Sequence, residues 1–206
     1  MKNNIYLYIT IGILLASECF MLWRNHRLKS EIQAKDYYME RIVTGANAME
    51  TAFQTSIENA GSLIDGSAMA EDTLGNSLTV AELARKGKGN FLVCRYSDRM
   101  CQECVAHTLS ILTDHIDSLD RNRIVFLASN NSRRVLKLNV REYGLDGSRV
   151  LNCPNLGIPA DEAMFPYIMA VDSSLRVLSV YFPSKSTHGT DYDYRHVKYM
   201  YDNLIR

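Results

Sequence analysis

Cys101 and Cys104 stand three positions apart in "YSDRMCQECVAHTL" (96–109), with Gln102 and Glu103 between them. This spacing serves three chemistries: a dithiol–disulfide couple, half of a metal site, or two neighbouring thiols with no joint duty. Haem attachment needs a histidine directly after the second cysteine, and Val105 is there instead. A zinc site could draw on Cys101, Cys104 and His107, completed by Cys153 or His115. There is no second Cys-x-x-Cys and no histidine pair at ligand spacing, so no metal and no cofactor are expected. On this reading His107 is a polar helix residue without special duty, and Cys94, inside "FLVCRY", behaves as a small core hydrophobe. Cys153 beside Pro154 reads as buried, with a third redox partner as the other reading. Cys19 lies in an apolar run and is expected to be inert.

Buried strands and amphipathic helices must position the pair. "NFLVCRYS" (90–97) reads as a short buried strand, and "CQECVAHTLSILTDHIDSL" (101–119) has helical spacing. "RIVFLAS" (123–129) is a second strand, and "SRRVLKLNVREYG" a second helix. "SRVLNC" (148–153) is a third strand. "YIMAVD" and "RVLSVYF" flank Ser173-Ser174 as a hairpin, and "YDYRHVKYMYDNLI" is a closing helix. This alternation predicts an α/β fold with helices around a central mixed sheet.

The chain of 206 residues is 47% hydrophobic and 22% charged, which suits one folded domain with additions. Lys+Arg and Asp+Glu both number 23, so no charge footprint points to nucleic acid. The basic run Arg133, Arg134, Lys137 and Arg141 reads as the solvated face of a helix.

"IYLYITIGILLASECFMLW" (5–23) approaches the ~20 apolar residues of a membrane span, with Glu18 near one end and Trp23-Arg24 at its boundary. Residues 1–24 are therefore expected to be an uncleaved single-pass anchor, with a cleaved signal as the rival. The positive charges after the span favour a cytoplasmic domain when counted literally, although a long domain can be exported regardless. Residues 25–61 read as a helical stalk. Leu28, Ile32, Met39, Ile42, Ala46, Met49, Phe53 and Ala60 form an apolar seam broken at Lys35 and Ser56. The seam suits either a homodimeric coiled coil or a lone helix packed on its own domain. Gly, Ser and Asp accumulate over 60–78, as a linker or an opening hairpin. Residues 62–206 are taken as the folded domain.

A Cys-x-x-Cys opening the first helix after a buried strand, with this element order, resembles the thioredoxin-like fold. It is most similar to the membrane-anchored thiol–disulfide oxidoreductases related to TlpA and ResA. "EDTLGNSLTVAELARKGKGNFLVCRYS" resembles the opening of those proteins, and "AMFPYIMAVDSSLRVLSVY" their later hairpin. The resemblance implies a three-layer sandwich over 62–206, catalytic Cys101 and Cys104, a substrate-binding Phe165-Pro166 with a cis bond at Pro166, and an extracytoplasmic, periplasmic-side location. A helix N-terminus stabilises a thiolate at Cys101, and Cys104 one turn on resolves the mixed disulfide. Proline at a strand start leaves neighbouring backbone free for an extended substrate segment.

The chain departs from that family at Met100, Gln102, Glu103 and Phe165, and Glu103 is expected to oppose ionisation. A peroxiredoxin-type Pro-x-x-x-Thr-x-x-Cys is absent, since Asp98 and Cys94 occupy those positions before Cys101. The expected activity is thiol–disulfide exchange with a protein thiol or disulfide substrate and an upstream redox partner. A redox-inactive adaptor or sensor at the membrane is the alternative.

Overall fold

The computed structural model describes residues 2–87, 89–130, 132–183 and 189–206. It divides into two compact units, Met1–Thr51 and Ala52–Arg206. The first unit is one helix, α1, which runs Lys2–Asn59 and enters the second unit with its last residues. Among the described residues no helix is long and apolar enough to cross a membrane. The side chains of residues 2–11, 13, 15 and 16 lie outside the described residues, and the expected anchor falls largely on them. Of the expected stalk seam, Leu28, Ile32, Met39 and Phe53 are exposed. Ile42, Ala46 and Met49 have side chains outside the described residues.

In the second unit the Gly/Ser-rich stretch becomes a hairpin of β1 (Met69–Asp72) and β2 (Ser77–Thr79). One Asp72 carboxylate oxygen accepts the backbone N–H groups of Leu74, Gly75 and Asn76 at 2.8, 2.8 and 2.9 Å, which closes the turn. Gly75 takes φ +101° there, a conformation open to glycine at little cost. Helix α2 (Val80–Gly87) starts with Thr79 and Glu82 capping each other's backbone N–H at 2.9 and 3.2 Å.

The remaining elements follow in the expected order: β3 (Phe91–Ser97), α3 (Gln102–Thr113), β4 (Ile124–Ser129) and α4 (Arg133–Glu142). They continue with β5 (Arg149–Asn152), β6 (Tyr167–Val171), β7 (Val177–Tyr181) and α5 (Gly189–Met200), which ends in a wide turn over Tyr201–Ile205. One mixed sheet has the order β2-β1-β5-β4-β3-β6-β7. Strands β3, β4 and β5 are parallel, and β6, β7, β1 and β2 join antiparallel.

All seven residues of β3 are buried, as a strand covered on both faces must be. Leu92, Cys94 and Tyr96 point into one core with Val105, Leu109 and Leu112 of α3, Leu136 of α4 and Val197 of α5. Phe91 and Val93 point the other way, into a core with Val80, Leu83 and Ala84 of α2 and with Leu156, Ile158 and Ala160. The result is a three-layer α/β sandwich with a mixed central sheet. Each fully buried Leu, Ile or Val contributes about 1.5–3 kcal/mol to holding these layers together.

Two sequence expectations need correction. Helix α3 stops at Thr113 rather than running to 119, although Ile116 and Leu119 remain buried in the same core. The apolar rhythm persists through a series of turns, so periodicity could not mark the end. The Phe165–Pro166 peptide is trans, with no cis bond among the described residues. Trans is the intrinsically preferred isomer, by about 0.5–1 kcal/mol before proline.

Ser56, which interrupts the expected seam, donates from its hydroxyl to the Val180 carbonyl at 2.9 Å. Asn59, the last residue of α1, is fully buried. Its amide nitrogen donates to Thr55 O at 2.6 Å, and its amide oxygen accepts Ala160 N–H at 3.0 Å.

Candidate functional site

Strand β3 delivers the cysteine pair. Past Ser97 the chain turns, with Ser97 Oγ accepting Arg99 N–H at 3.1 Å and Ser97 O accepting Met100 N–H at 3.2 Å. Cys101 then occupies the N-cap of α3 with φ −54° and ψ 118°. Its carbonyl accepts the Val105 N–H at 2.9 Å, and its sulfur accepts the Cys104 N–H at 3.4 Å. The thiol thus fills the place where serine or aspartate commonly caps a helix, and takes up a backbone donor that would otherwise lack a partner.

Cys101 is exposed and Cys104 half-buried. The Cys101 pKa is lowered, first by the Cys104 side chain and then by the Cys104 backbone N–H. Partial desolvation works the other way. Glu103 acts in both directions: its N–H stabilises the thiolate, while its carboxylate opposes it as the smallest contribution. The opposition expected from Glu103 is present but loses to the Cys104 thiol first and to the helix N–H groups after it.

Phe165 and Pro166 lie just before β6, whose first residue, Tyr167, pairs with Arg95 near the C-terminal end of β3. The Cys101 turn leaves β3 at that same end. Met164 and Phe165 are exposed and Pro166 is buried.

Around Tyr167, the residue after Pro166, lies a polar cluster that was not anticipated from the sequence. Arg95, 2% exposed, donates from Nε to Asp161 Oδ1 at 2.8 Å. Its other nitrogens donate to the carbonyls of Ala128, Cys153 and Pro154 at 3.2, 2.5 and 3.1 Å. Asp161 also accepts the Tyr167 hydroxyl at 3.2 Å and the Leu156 N–H. Arginine inside the apolar run "FLVCRYS" was the one available signal, because a buried arginine requires a partner.

The residues of the zinc alternative do not converge among the described residues. His107 Nε2 bonds Asp193 Oδ2 at 2.7 Å, and Asp193, 2% exposed, also accepts the Tyr181 hydroxyl. His107, expected to be a polar helix residue without special duty, has a structural partner on α5. His115 stacks on Tyr194 at 3.6 Å between ring centroids. Cys153 belongs to the core on the opposite side of the sheet from α3, and burial pushes its thiol up. Cys94 is fully buried, and burial pushes its thiol up as well. Among the described residues no group of three His, Cys, Asp or Glu side chains is placed to hold a metal ion.

No protein-family model matches the sequence, and no curated protein is similar to it. Solved structures do resemble the fold. A protein from Aquifex aeolicus is 14% identical with a TM-score of 0.49, over 68% of this chain and 90% of its own. A thiol:disulfide interchange protein from Bacteroides sp. is 15% identical with a TM-score of 0.46, over 70% of this chain and 90% of its own. BsSco, a member of the Sco family of cytochrome c oxidase assembly proteins, is 13% identical with a TM-score of 0.47, over 70% and 98%. The thioredoxin-like arrangement stands on this chain's own strand order, strand directions and helix placement.

Proposed function

We propose that this chain is a membrane-anchored thiol–disulfide oxidoreductase whose Cys101/Cys104 pair exchanges electrons with protein substrates. The observation that carries the reading is the exposed Cys101 sulfur at the α3 N-cap, accepting the Cys104 N–H. In the reducing direction, Cys101 thiolate attacks a substrate disulfide, forming one mixed S–S bond and releasing one substrate thiolate. Cys104 then loses its proton, and its thiolate attacks Cys101 sulfur, releasing the second substrate thiolate. The substrate disulfide gains two electrons and the Cys101–Cys104 pair loses two. An upstream redox partner resets the pair, and in the oxidising direction every step runs backwards.

Pro166 lacks an N–H, and with exposed Phe165 it offers an extended substrate segment a place beside the cysteines. The apolar run over 5–23 supports an anchor, with the domain on the periplasmic side and the stalk pairing two copies.

Equilibrating the full chain in glutathione buffers of graded potential tests the exchange. The expected result is one reversible two-electron couple, lost in Cys101→Ala and in Cys104→Ala. A chain that forms no disulfide at any poise is instead a binding adaptor on a thioredoxin-like frame.

A further inference from the structure

The last turn of α1 and the residues after it are tied to β7 and to the turn before it. Ser56 Oγ donates to Val180 O at 2.9 Å, Gly61 N–H to Val177 O at 2.8 Å and Ile64 N–H to Leu175 O at 3.0 Å. Val177 N–H returns to Ser62 O at 2.9 Å. From this fixed base the fully buried Asn59 meets the turn Pro159–Glu162, where its amide oxygen accepts the N–H of the fully buried Ala160 at 3.0 Å. All of these residues belong to the unit Ala52–Arg206.

That turn carries the segment before β6. Ala163 N–H donates to Ala160 O at 3.1 Å, and the Tyr167 hydroxyl donates to Asp161 Oδ1 at 3.2 Å. Only Met164, Phe165 and Pro166 lie between those two feet, so the exposed Met164 and Phe165 hang from Ala160 and Asp161. Arg95 holds Asp161 from the sheet at 2.8 Å, and Asn59 holds Ala160 from the helix. The cysteines are fixed by other bonds, from Val105 N–H to Cys101 O and from Cys104 N–H to Cys101 Sγ.

We infer that Asn59 is a positioning residue for the protein substrate. Through Ala160 and Asp161 it fixes the Phe165–Pro166 segment, and so sets how tightly a substrate chain binds while leaving the chemistry of the Cys101/Cys104 pair unchanged. A buried N–H that loses its acceptor shifts or opens to find another, and a displaced binding segment then costs affinity. Arg95 still holds Asp161, so the loss is partial. The coupling is reciprocal: what the Asn59–Ala160 bond adds to substrate binding, bound substrate returns to that bond. The inference rests on the exchange reading, with the substrate at Phe165–Pro166, and adds to it a residue that does not touch the substrate.

The test mixes the reduced full chain with rising concentrations of a disulfide-containing peptide, and separately with glutathione disulfide, which is too small to lie along the segment. Asn59→Leu, similar in size and without an acceptor, should raise the half-saturating peptide concentration about tenfold, a factor equal to about 1.4 kcal/mol. The maximal rate, the rate with glutathione disulfide and the midpoint potential should stay as in the parent, a split that a merely structural role does not produce. Asn59→Asp, which keeps an oxygen facing Ala160, should restore the affinity. A second measurement leaves Asn59 in place: peptide trapped on Cys101 as a mixed disulfide in Cys104→Ala should slow hydrogen exchange at the Ala160 amide. Unchanged exchange there overturns the inference, whether or not the Asn59 variants fold. So does an unchanged half-saturating concentration in Asn59→Leu, an equal rise in Asn59→Asp, or a shifted potential. A parent chain that reduces neither probe refutes the exchange reading and this inference with it, whereas a parent that reduces both, matched by its variants, refutes the inference alone.

Discussion

Asp161→Asn is the sharpest perturbation of the polar cluster that holds Tyr167. The Arg95 and Asp161 side chains are 3% and 9% exposed and 2.8 Å apart. The replacement keeps the shape, so no cavity opens and the effect is electrostatic. One carboxylate oxygen receives Arg95 and the Tyr167 hydroxyl, and the other receives the Leu156 N–H. Asparagine has one oxygen and one NH₂, so a donor must face either Arg95 or Leu156. Removing one partner of a buried pair costs about 3–5 kcal/mol.

Arg95 keeps its three carbonyl partners, which places the expected loss at the lower end, about 3 kcal/mol. For a chain of this size each kcal/mol moves Tm by roughly 2–4 °C, so the midpoint should fall about 6–12 °C. Thermal and urea unfolding of the full chain, followed by far-UV circular dichroism, reads the loss directly. Hydrogen exchange at 164–167 should quicken with it, because Tyr167 loses part of its anchor. A variant within about 1 kcal/mol of the parent refutes the reasoning, since it would mean that the carbonyls alone hold the arginine.

Alkylation of Cys101, followed on its own peptide by mass spectrometry, should titrate at lower pH than an ordinary thiol, because its thiolate is stabilised. Cys104→Ala should move that midpoint up and Glu103→Gln should move it down; opposite shifts would sink the account of the N-cap. His196, stacked on Tyr181 at 4.0 Å, has its pKa lowered by burial, with Asp193 pulling weakly the other way. The unfolded chain therefore takes up the proton first. The contribution of His196 is intact above its ordinary value of 6.5 and is lost as pH falls through the lowered one. His196→Phe should flatten stability against pH just below 6.5, and unchanged slopes would count against it. Asn59→Ala strands the Ala160 N–H and should cost about 1–3 kcal/mol, seen as a lower urea midpoint at unchanged m. No shift would mean that another acceptor takes its place.

The sheet was legible because its central strands are buried on both faces and so appear as unbroken apolar runs, as in "RIVFLAS" and "YIMAVD". The cysteine pair was legible because its spacing and its place after a strand are local features. What escaped is non-local. Arg95 meets Asp161 across 66 positions and Asn59 meets Ala160 across 101, and no periodicity records such a pairing. Asp193 was hidden differently: it sits in the tyrosine-rich run of α5 beside Tyr192 and Tyr194, where a carboxylate reads as surface. The end of α3 was invisible because Ile116 and Leu119 stay apolar after the helix has stopped.

The wide turn over Tyr201–Ile205 reaches back to much earlier parts of the chain. Leu204 O accepts the Asn90 side chain at 2.7 Å, and Ile205 O accepts Arg123 at 3.0 Å. The Tyr201 hydroxyl accepts the Asp120 N–H at 3.0 Å. A chain emerging from the ribosome therefore holds the loops before β3 and β4 without these partners until residue 205 is clear. Until then the helical core around Val197 and Met200 is open too. Such a domain completes its fold only once Tyr201–Ile205 are free to dock, and a nascent form awaiting those residues exposes apolar surface that other chains can bind.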